Sequence, residues 1–346
     1  MSKLKLATIG AYGHFPHVLE ELEGSDDLDV VALAKALPDD DLNAVRKFPI
    51  AGSALAYDDY HLMLREQNPD VVVVSTRLDL INPIAIDAAE AGCHLICEKP
   101  LALAHAPLEK LYRTIESRGV QCIAMLSNPY HSVIRGARQL TTEGRFGKIV
   151  IVNARKSYKW GSRPDWFGKR EQYGNTIGWV GIHALDMIQA VTGERFTSVA
   201  AMLSNVSHPE RPDCQDNVAM ILGLSGGGHA TVSVDLLRPN AAATHGDDWL
   251  RIVGAKGVAE ASLDGGWLHI TSDAEAECRV TLPASQKYYA DFLKLLANAP
   301  AEPFADTRRA FELTHLCLTA WDAAVEGRVL DIQPGPWSAP LSGTAT

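Results

Sequence analysis

The stretch Ile96-Cys97-Glu98-Lys99-Pro100 closes a short apolar run that follows Ala89-Glu90-Ala91-Gly92, a helix-like ending. Pro100 restricts Lys99 to extended backbone and removes a ladder donor, so a strand must stop there. In open α/β sheets the carboxyl ends of the strands face the ligand crevice. A Glu-Lys-Pro at a strand tip therefore aims one amine into that crevice. A surface strand end carrying a stabilising Glu98–Lys99 pair fits these five residues equally well, so the surrounding chain has to decide.

Outward from that tip, residues 4–9, 30–34, 71–75, 94–97 and 122–125 read as strands. Residues 17–23, 40–47, 60–66, 83–91 and 106–118 between them read as helices. Apolar runs without alternation suit a parallel sheet covered on both faces. Strand–helix repetition at this spacing predicts βαβ units and a Rossmann-like, doubly wound α/β domain over residues 1–125.

Past residue 125 the pattern changes. A helix is expected over 132–142, then strands over 149–156, 198–204, 218–224, 229–236, 249–253 and 267–272, with Gly226-Gly227-Gly228 and Gly265-Gly266 as turns. These strands alternate, which predicts an α+β domain over 126–346 with a large, mainly antiparallel open sheet. Helices are expected at 182–191 and 307–326, the last packing back on the first domain. The Pro-rich tail at 334–340 is expected to be poorly ordered.

Composition narrows the function classes. The 346 residues are 47% hydrophobic and 21% charged, which suits about two globular domains. A formal net charge of -10 argues against nucleic acid or anionic membrane as a partner. No apolar run reaches membrane-spanning length, and residues 1–5 show no secretory pattern. Six cysteines without CxxC pairing read as free thiols in a reducing cytoplasm, with no zinc site expected. The expectation is a cytoplasmic protein with a small-molecule partner.

A dinucleotide fold needs a glycine turn after its first strand, ideally GxGxxG. Here it reads Gly10-Ala11-Tyr12-Gly13-His14-Phe15. Tyr12 and Phe15 stand where the second and third glycines belong. Gly13 can compensate in part by adopting positive φ. An ordinary strand–helix turn is the competing reading. At the end of the second strand, Lys35 occupies the position of the acid that binds the ribose 2′-hydroxyl. A cation there suits a 2′-phosphate, so the cofactor reading is NADP or NAD with a lean to NADP. A solvated lysine explains the residue as well.

Together these residues resemble the Gfo/Idh/MocA family, that of glucose–fructose oxidoreductase and inositol dehydrogenase, over nearly the whole chain. The resemblance is carried by Ala88-Ala89-Glu90-Ala91-Gly92-Cys93-His94-Leu95-Ile96-Cys97-Glu98-Lys99-Pro100-Leu101-Ala102 and by Glu143-Gly144-Arg145-Phe146-Gly147-Lys148-Ile149. Gly178-Trp179-Val180-Gly181-Ile182-His183-Ala184-Leu185-Asp186, Gly254-Ala255-Lys256-Gly257, Arg308-Arg309-Ala310 and Trp321-Asp322 agree in order and spacing. The resemblance implies hydride transfer between NAD(P) and a carbinol carbon of a sugar, glycoside or cyclitol. It maps the family's strand-tip lysine onto Lys99, which hydrogen-bonds the reacting oxygen, and its helix histidine onto His183 as general acid/base. The two groups are then expected to meet at one cavity. A packing histidine is the bland reading of His183. Family sheets commonly pair across subunits, so a homodimer or homotetramer is implied.

Three departures qualify that reading. Many members carry an Asp four residues before the histidine, where this chain has Trp179, which cannot take a proton. Asp186 or Asp165 could stand in, although a capping or surface carboxylate explains either. The phosphate turn is altered as described. The cofactor-flanking segment reads Ser75-Thr76-Arg77-Leu78-Asp79-Leu80-Ile81-Asn82, with Asn82 in place of a histidine; Arg77 suits a phosphate or solvent. With Glu98 and Lys99, these residues complete the expected cofactor set.

Residues 155–175 are dense in aromatic and basic side chains, among them Lys156, Tyr158, Lys159, Trp160, Arg163, Trp166, Lys169, Arg170 and Tyr173. They suit a sugar pocket and lid, or an oligomer interface. Tyr158, Trp160, Trp166 and Trp179 are taken as substrate contacts beside Lys99 and His183. Two rival functions stay open. One is a cofactor-retaining enzyme that oxidises a sugar transiently and then eliminates or cleaves, with no net redox change. The other is a non-catalytic sugar- or nucleotide-binding relative.

Overall fold

The computed structural model describes residues 3–338, which divide into two compact units. The first contains β1 (Leu4–Ile9), α1 (Phe15–Leu22), β2 (Leu28–Ala34), α2 (Leu42–Arg46), β3 (Leu55–Tyr57), α3 (Tyr60–Gln67), β4 (Val71–Val74), α4 (Leu78–Glu90), β5 (His94–Cys97), α5 (His105–Arg118) and β6 (Cys122–Ala124). The strands form one parallel sheet in the order β3-β2-β1-β4-β5-β6. The chain steps outward from β1 on one side and from β4 on the other. The β1/β4 boundary is thus the switch point where doubly wound sheets bind ligands.

The four valines of β4 are all 0% exposed, the expected result for a central parallel strand covered on both faces. Burial of each side chain contributes roughly 2 kcal/mol before entropy is counted. Two local readings need correction. The fourth helix begins at Leu78 rather than at residue 83, and Pro83 lies inside it. Proline there removes one internal donor, and Asp79 in the first turn suits the helix N-terminus. Strand β3 is only three residues long, with Leu55 54% exposed, and carries no strand signal in the sequence.

The second unit holds α6 (Ser132–Thr142), β7 (Ile149–Tyr158), α7 (Arg170–Tyr173), α8 (Ile182–Thr192), β8 (Phe196–Ser204), β9 (Asn217–Leu224), β10 (His229–Asp235), β11 (Gly246–Gly254), β12 (Gly257–Ser262), β13 (Trp267–Ser272), β14 (Glu275–Arg279) and β15 (Leu330–Asp331). They form a nine-stranded sheet, β14-β13-β12-β11-β7-β10-β9-β8-β15. All its pairings are antiparallel except β7 with β10. In β9, Val218, Met220, Leu222 and Leu224 are buried while Ala219 and Ile221 face out, the period of two of a half-covered sheet. Helix α6 lies against β12 and β13, and α8 against β7 and β10.

The chain continues through α9 (Tyr288–Leu296) and α10 (Thr307–Glu326). Residues 287–314 and 334–338 group with the first unit, and 315–333 with the second. Glu21 Oε1 caps α9 by accepting from Tyr289 N and Ala290 N, at 2.5 and 3.0 Å. Tyr288 donates its hydroxyl to Ala124 O at 2.9 Å. The tail departs from expectation. Residues Pro336–Ser338 form a helical turn, and Trp337 is buried against Tyr112 and Phe311. The rest of the expected tail, 339–346, lies outside the described residues.

Candidate active site

Residues Gly10–His14 leave β1 at the switch point, and the turn is fastened on both sides. Tyr12 N donates to Ser75 O at 3.0 Å, and Ser75 Oγ returns a bond to Tyr12 O at 2.7 Å. Gly10 and Gly13 both have positive φ, +87° and +103°. A Cβ on Gly10 would stand 2.4 Å from Ser75 O, and one on Gly13 2.2 Å from Glu98 Oε2. The two glycines that remain of the motif are therefore required by backbone conformation and by close approach to β4 and β5.

Glu98, just past β5, is wholly buried. Its Oε2 accepts from the backbone N of His14 and pairs with His14 Nδ1, both at 2.7 Å. Its Oε1 accepts from Lys99 N at 3.0 Å and lies 3.8 Å from Lys99 Nζ. Burial alone would raise the carboxyl pKa, but the charges of His14 and Lys99 and the bonds from His14 outweigh it and hold the group at about 2. Lys99 is 1% exposed, and the Lys99–Pro100 peptide is cis. The structure thus joins Gly13, His14, Glu98 and Lys99 into one cluster at the tips of β1, β4 and β5. His14 holds the Glu98 carboxylate through both its backbone N and its ring, a role the sequence did not assign to it.

The other expected cofactor residues differ in placement. Phe15 is 5% exposed and meets Phe48 edge-on, so its ring is core and only its backbone faces the turn. Thr76 is buried beside Gly10. Asn82, expected to flank the cofactor, donates its amide to Leu101 O and Pro107 O at 3.1 and 3.2 Å, which makes it a brace for α4. Arg77 is held by Asp79 in a bidentate pair at 2.7 and 2.9 Å. Lys35 Nζ lies 2.8 Å from Asp58 Oδ1.

The donor chemistry of the turn nevertheless fits a dinucleotide. The amides of Ala11, Gly13 and Phe15, in the turn and first helical position of α1, take no acceptor among the described residues. Amides at a helix N-terminus suit a phosphate anion.

In the second unit, His183 lies in the first turn of α8, which follows directly on a π-helical turn, Ile177–Gly181. Such turns recur at functional positions, and this one has no sequence signal. Asn128 Nδ2 donates to His183 O at 3.4 Å. Trp179 is 9% exposed inside the π turn and meets Phe167 edge-on at 5.9 Å. Phe167 also contacts Trp166 and Tyr173, at 4.2 and 4.5 Å between ring centres. Arg163 lies over both Phe167 and Trp160, at 5.1 and 5.2 Å. Trp160 stacks on His208 with centres 3.5 Å apart. Trp160, Trp166 and Trp179 are thus linked through Arg163 and Phe167.

Tyr158 stands apart from that chain of rings, stacked on His245 with Lys156 Nζ 5.1 Å from its ring centre. Burial raises its pKa, while the Lys156 charge opposes the rise. Lys156 makes a buried ion pair with Asp248, a partner the sequence did not reveal. Asp165 is an exposed surface carboxylate bonded to Arg211 at 2.7 Å, and Asp186 is wholly buried in α8.

Comparison with known proteins agrees with this architecture. Residues 4–126 match the family model described as "Oxidoreductase family, NAD-binding Rossmann fold", and residues 134–260 match the "GFO/IDH/MocA C-terminal domain". A levoglucosan dehydrogenase of Pseudarthrobacter phenanthrenivorans is 30% identical over 201 residues, 57% of this chain and 50% of its own length. The match thus spans about half of that curated relative. The structure of an oxidoreductase from Thermotoga maritima superimposes with a TM-score of 0.90 at 32% identity, covering 95% of this chain and all of the other. A levoglucosan dehydrogenase bound to NADH and L-sorbose superimposes with a TM-score of 0.81 at 20% identity, covering 96% and 100%, a likeness of fold.

Proposed function

Because this chain belongs to the Gfo/Idh/MocA oxidoreductase family, with an NAD-binding Rossmann domain, we propose that it transfers hydride between NAD(P) and a hydroxyl-bearing carbon of a sugar, glycoside or cyclitol. The observation that carries the reading is the buried Lys99 at the tip of β5, fixed by Glu98 beside the Gly10–His14 turn. When bound, the nicotinamide accepts or returns the hydride. The amides of Ala11, Gly13 and Phe15 hold the pyrophosphate. The Lys99 ammonium donates to the substrate oxygen and stabilises the charge that develops there as the O–H proton leaves. His183 takes that proton in the oxidative direction and gives it back in the reductive one, a role suited to imidazole. Trp160, Trp166, Trp179 and Tyr158 offer apolar faces to the sugar ring.

The test is turnover against a panel of aldoses, glycosides and cyclitols, followed by NAD(P)H formation. Lys99→Met lowers kcat at least about 100-fold on the best substrate and leaves the cofactor Kd within about threefold, since its role is exercised in the transition state. A variant that kept the wild-type rate would remove Lys99 from the chemistry.

A second reading is favoured by Trp179. With an indole buried where a carboxylate is common, a transient oxidation followed by elimination is consistent with the site. Product formed without stoichiometric NAD(P)H identifies that course. We also propose that the chain self-associates through the outer face of β8 and β9 and the end of α10. Met202, Ile221, Val325 and Val329 are 78%, 60%, 65% and 61% exposed there, an apolar patch of the kind that marks an interface.

A further inference from the structure

Resting on the dinucleotide reading above, we infer that Asp40 and Asp58 make this chain select NAD over NADP. In a doubly wound domain the adenosine ribose lies at the carboxyl end of the second strand, here β2. Lys35 follows β2 directly and is the cation a 2′-phosphate would need. It is already engaged: its Nζ lies 2.8 Å from Asp58 Oδ1, and its N donates to Tyr57 O at 3.0 Å. Asp58 follows β3, whose last residue Tyr57 pairs with Ala34 of β2, so the sheet places the two residues side by side, with the Asp58 side chain exposed.

Asp40 acts on the other half of the subsite. Its Oδ2 accepts from Ala36 N and Leu37 N, at 2.8 and 2.9 Å. Those two amides are the donors the turn could offer to a phosphate, and an internal carboxylate already holds them. The remaining nearby cation, Arg77, is forked onto Asp79, and Asp39 lies within electrostatic reach of it. Two cations therefore face four carboxylates. A 2′-phosphate carrying up to two negative charges would have to displace Asp58 from Lys35 and Asp40 from its amides in a field of its own sign. A neutral 2′-hydroxyl meets neither obstacle. Asp40 Oδ1, which takes no donor among the described residues, is an acceptor for a ribose hydroxyl.

The test is equilibrium titration of NADH and NADPH, read by calorimetry, on wild type, Asp58→Asn, Asp40→Asn, Lys35→Ala and the Lys35→Ala/Asp58→Asn pair. Wild type binds NADH at least about tenfold more tightly than NADPH. Asp58→Asn tightens NADPH about fivefold and leaves NADH nearly unchanged, because the freed ammonium can face the phosphate. Lys35→Ala alone keeps or widens the preference for NADH, because Asp58 loses its counter-charge, and it abolishes the gain in the Asp58→Asn background. Asp40→Asn narrows the ratio and weakens NADH. NADPH binding as tight as NADH in wild type would overturn the inference, and so would an unchanged ratio in both Asp variants. Wild type that binds neither dinucleotide fails the proposed function itself and takes this inference with it.

Discussion

One oxygen of Glu98 receives both the backbone amide and the ring nitrogen of His14, each at 2.7 Å, so a single buried carboxylate ties the head of α1 to the tip of β5. The same carboxylate accepts from the amide of Lys99. The turn proposed to hold phosphate and the amine proposed to meet substrate thus share one anchor.

Glu98→Gln keeps the shape and removes the charge. The amide can accept from only one side, so a His14 nitrogen or the Lys99 amide loses its bond to Glu98, and the negative charge 3.8 Å from the buried ammonium is removed. The expected cost is about 3 kcal/mol of stability, together with weaker cofactor binding. Thermal denaturation and calorimetric titration measure both, and a variant as stable as wild type would show that the carboxylate is not the anchor.

The same group sets an acid limit. The folded pKa of Glu98 is depressed to about 2 from an ordinary 4.5. Its contribution is therefore complete above about pH 4.5 and lost as pH falls toward 2. Denaturant unfolding of wild type declines across that window more steeply than unfolding of Glu98→Gln. Parallel curves would contradict the assignment.

Gly13 and Gly24 separate crowding from backbone conformation. Both have positive φ, but an added methyl at Gly13 meets Glu98 Oε2 at 2.2 Å, whereas one at Gly24 meets nothing within 4 Å. Gly24→Ala should cost about 1 kcal/mol. Gly13→Ala should cost roughly 2–4 kcal/mol and weaken dinucleotide binding as well. Equal losses in melting experiments would mean that the clash relaxes freely.

Ile221→Asp places a charge in the exposed apolar face of β9. If a second copy covers that face, wild type runs above the 37.5 kDa chain mass in light scattering and the variant returns to it. Wild type already at chain mass at micromolar concentration would exclude the association.

Much of this was legible in the sequence because it rests on strong local signals. Pro100 fixes the end of β5, and the apolar run Val71–Val74 marks a central strand. What escaped had weaker or conflicting signals. Pro83 reads as a helix start, because an interior proline is unfavourable, yet it stands sixth in α4, which begins at Leu78 and runs through it. Strand β12, with two alanines and a glycine in six residues, lacks β-branched character. The π turn at Ile177–Gly181 changes only the hydrogen-bond step, which no side chain announces. At the site, the Tyr12 and Phe15 replacements signalled an altered turn. The remedy, His14 bonded to Glu98, joins residues 84 positions apart and is invisible to any local reading. Lys35 is visible as a cation; Asp58, which neutralises it, lies beyond β3, a strand too short to leave a pattern in the sequence.

The first unit draws on three separate stretches, 3–125, 287–314 and 334–338, and Tyr288, Phe311 and Trp337 are among its buried residues. On the ribosome, the nucleotide-binding half therefore emerges first and is finished last. Its incomplete apolar surfaces must wait through synthesis of the whole intervening sheet, a period in which chaperones would be expected to engage it. For the same reason, excising residues 1–125 as a portable dinucleotide module would leave aromatic sockets empty, whereas a graft that keeps all three stretches carries its own core.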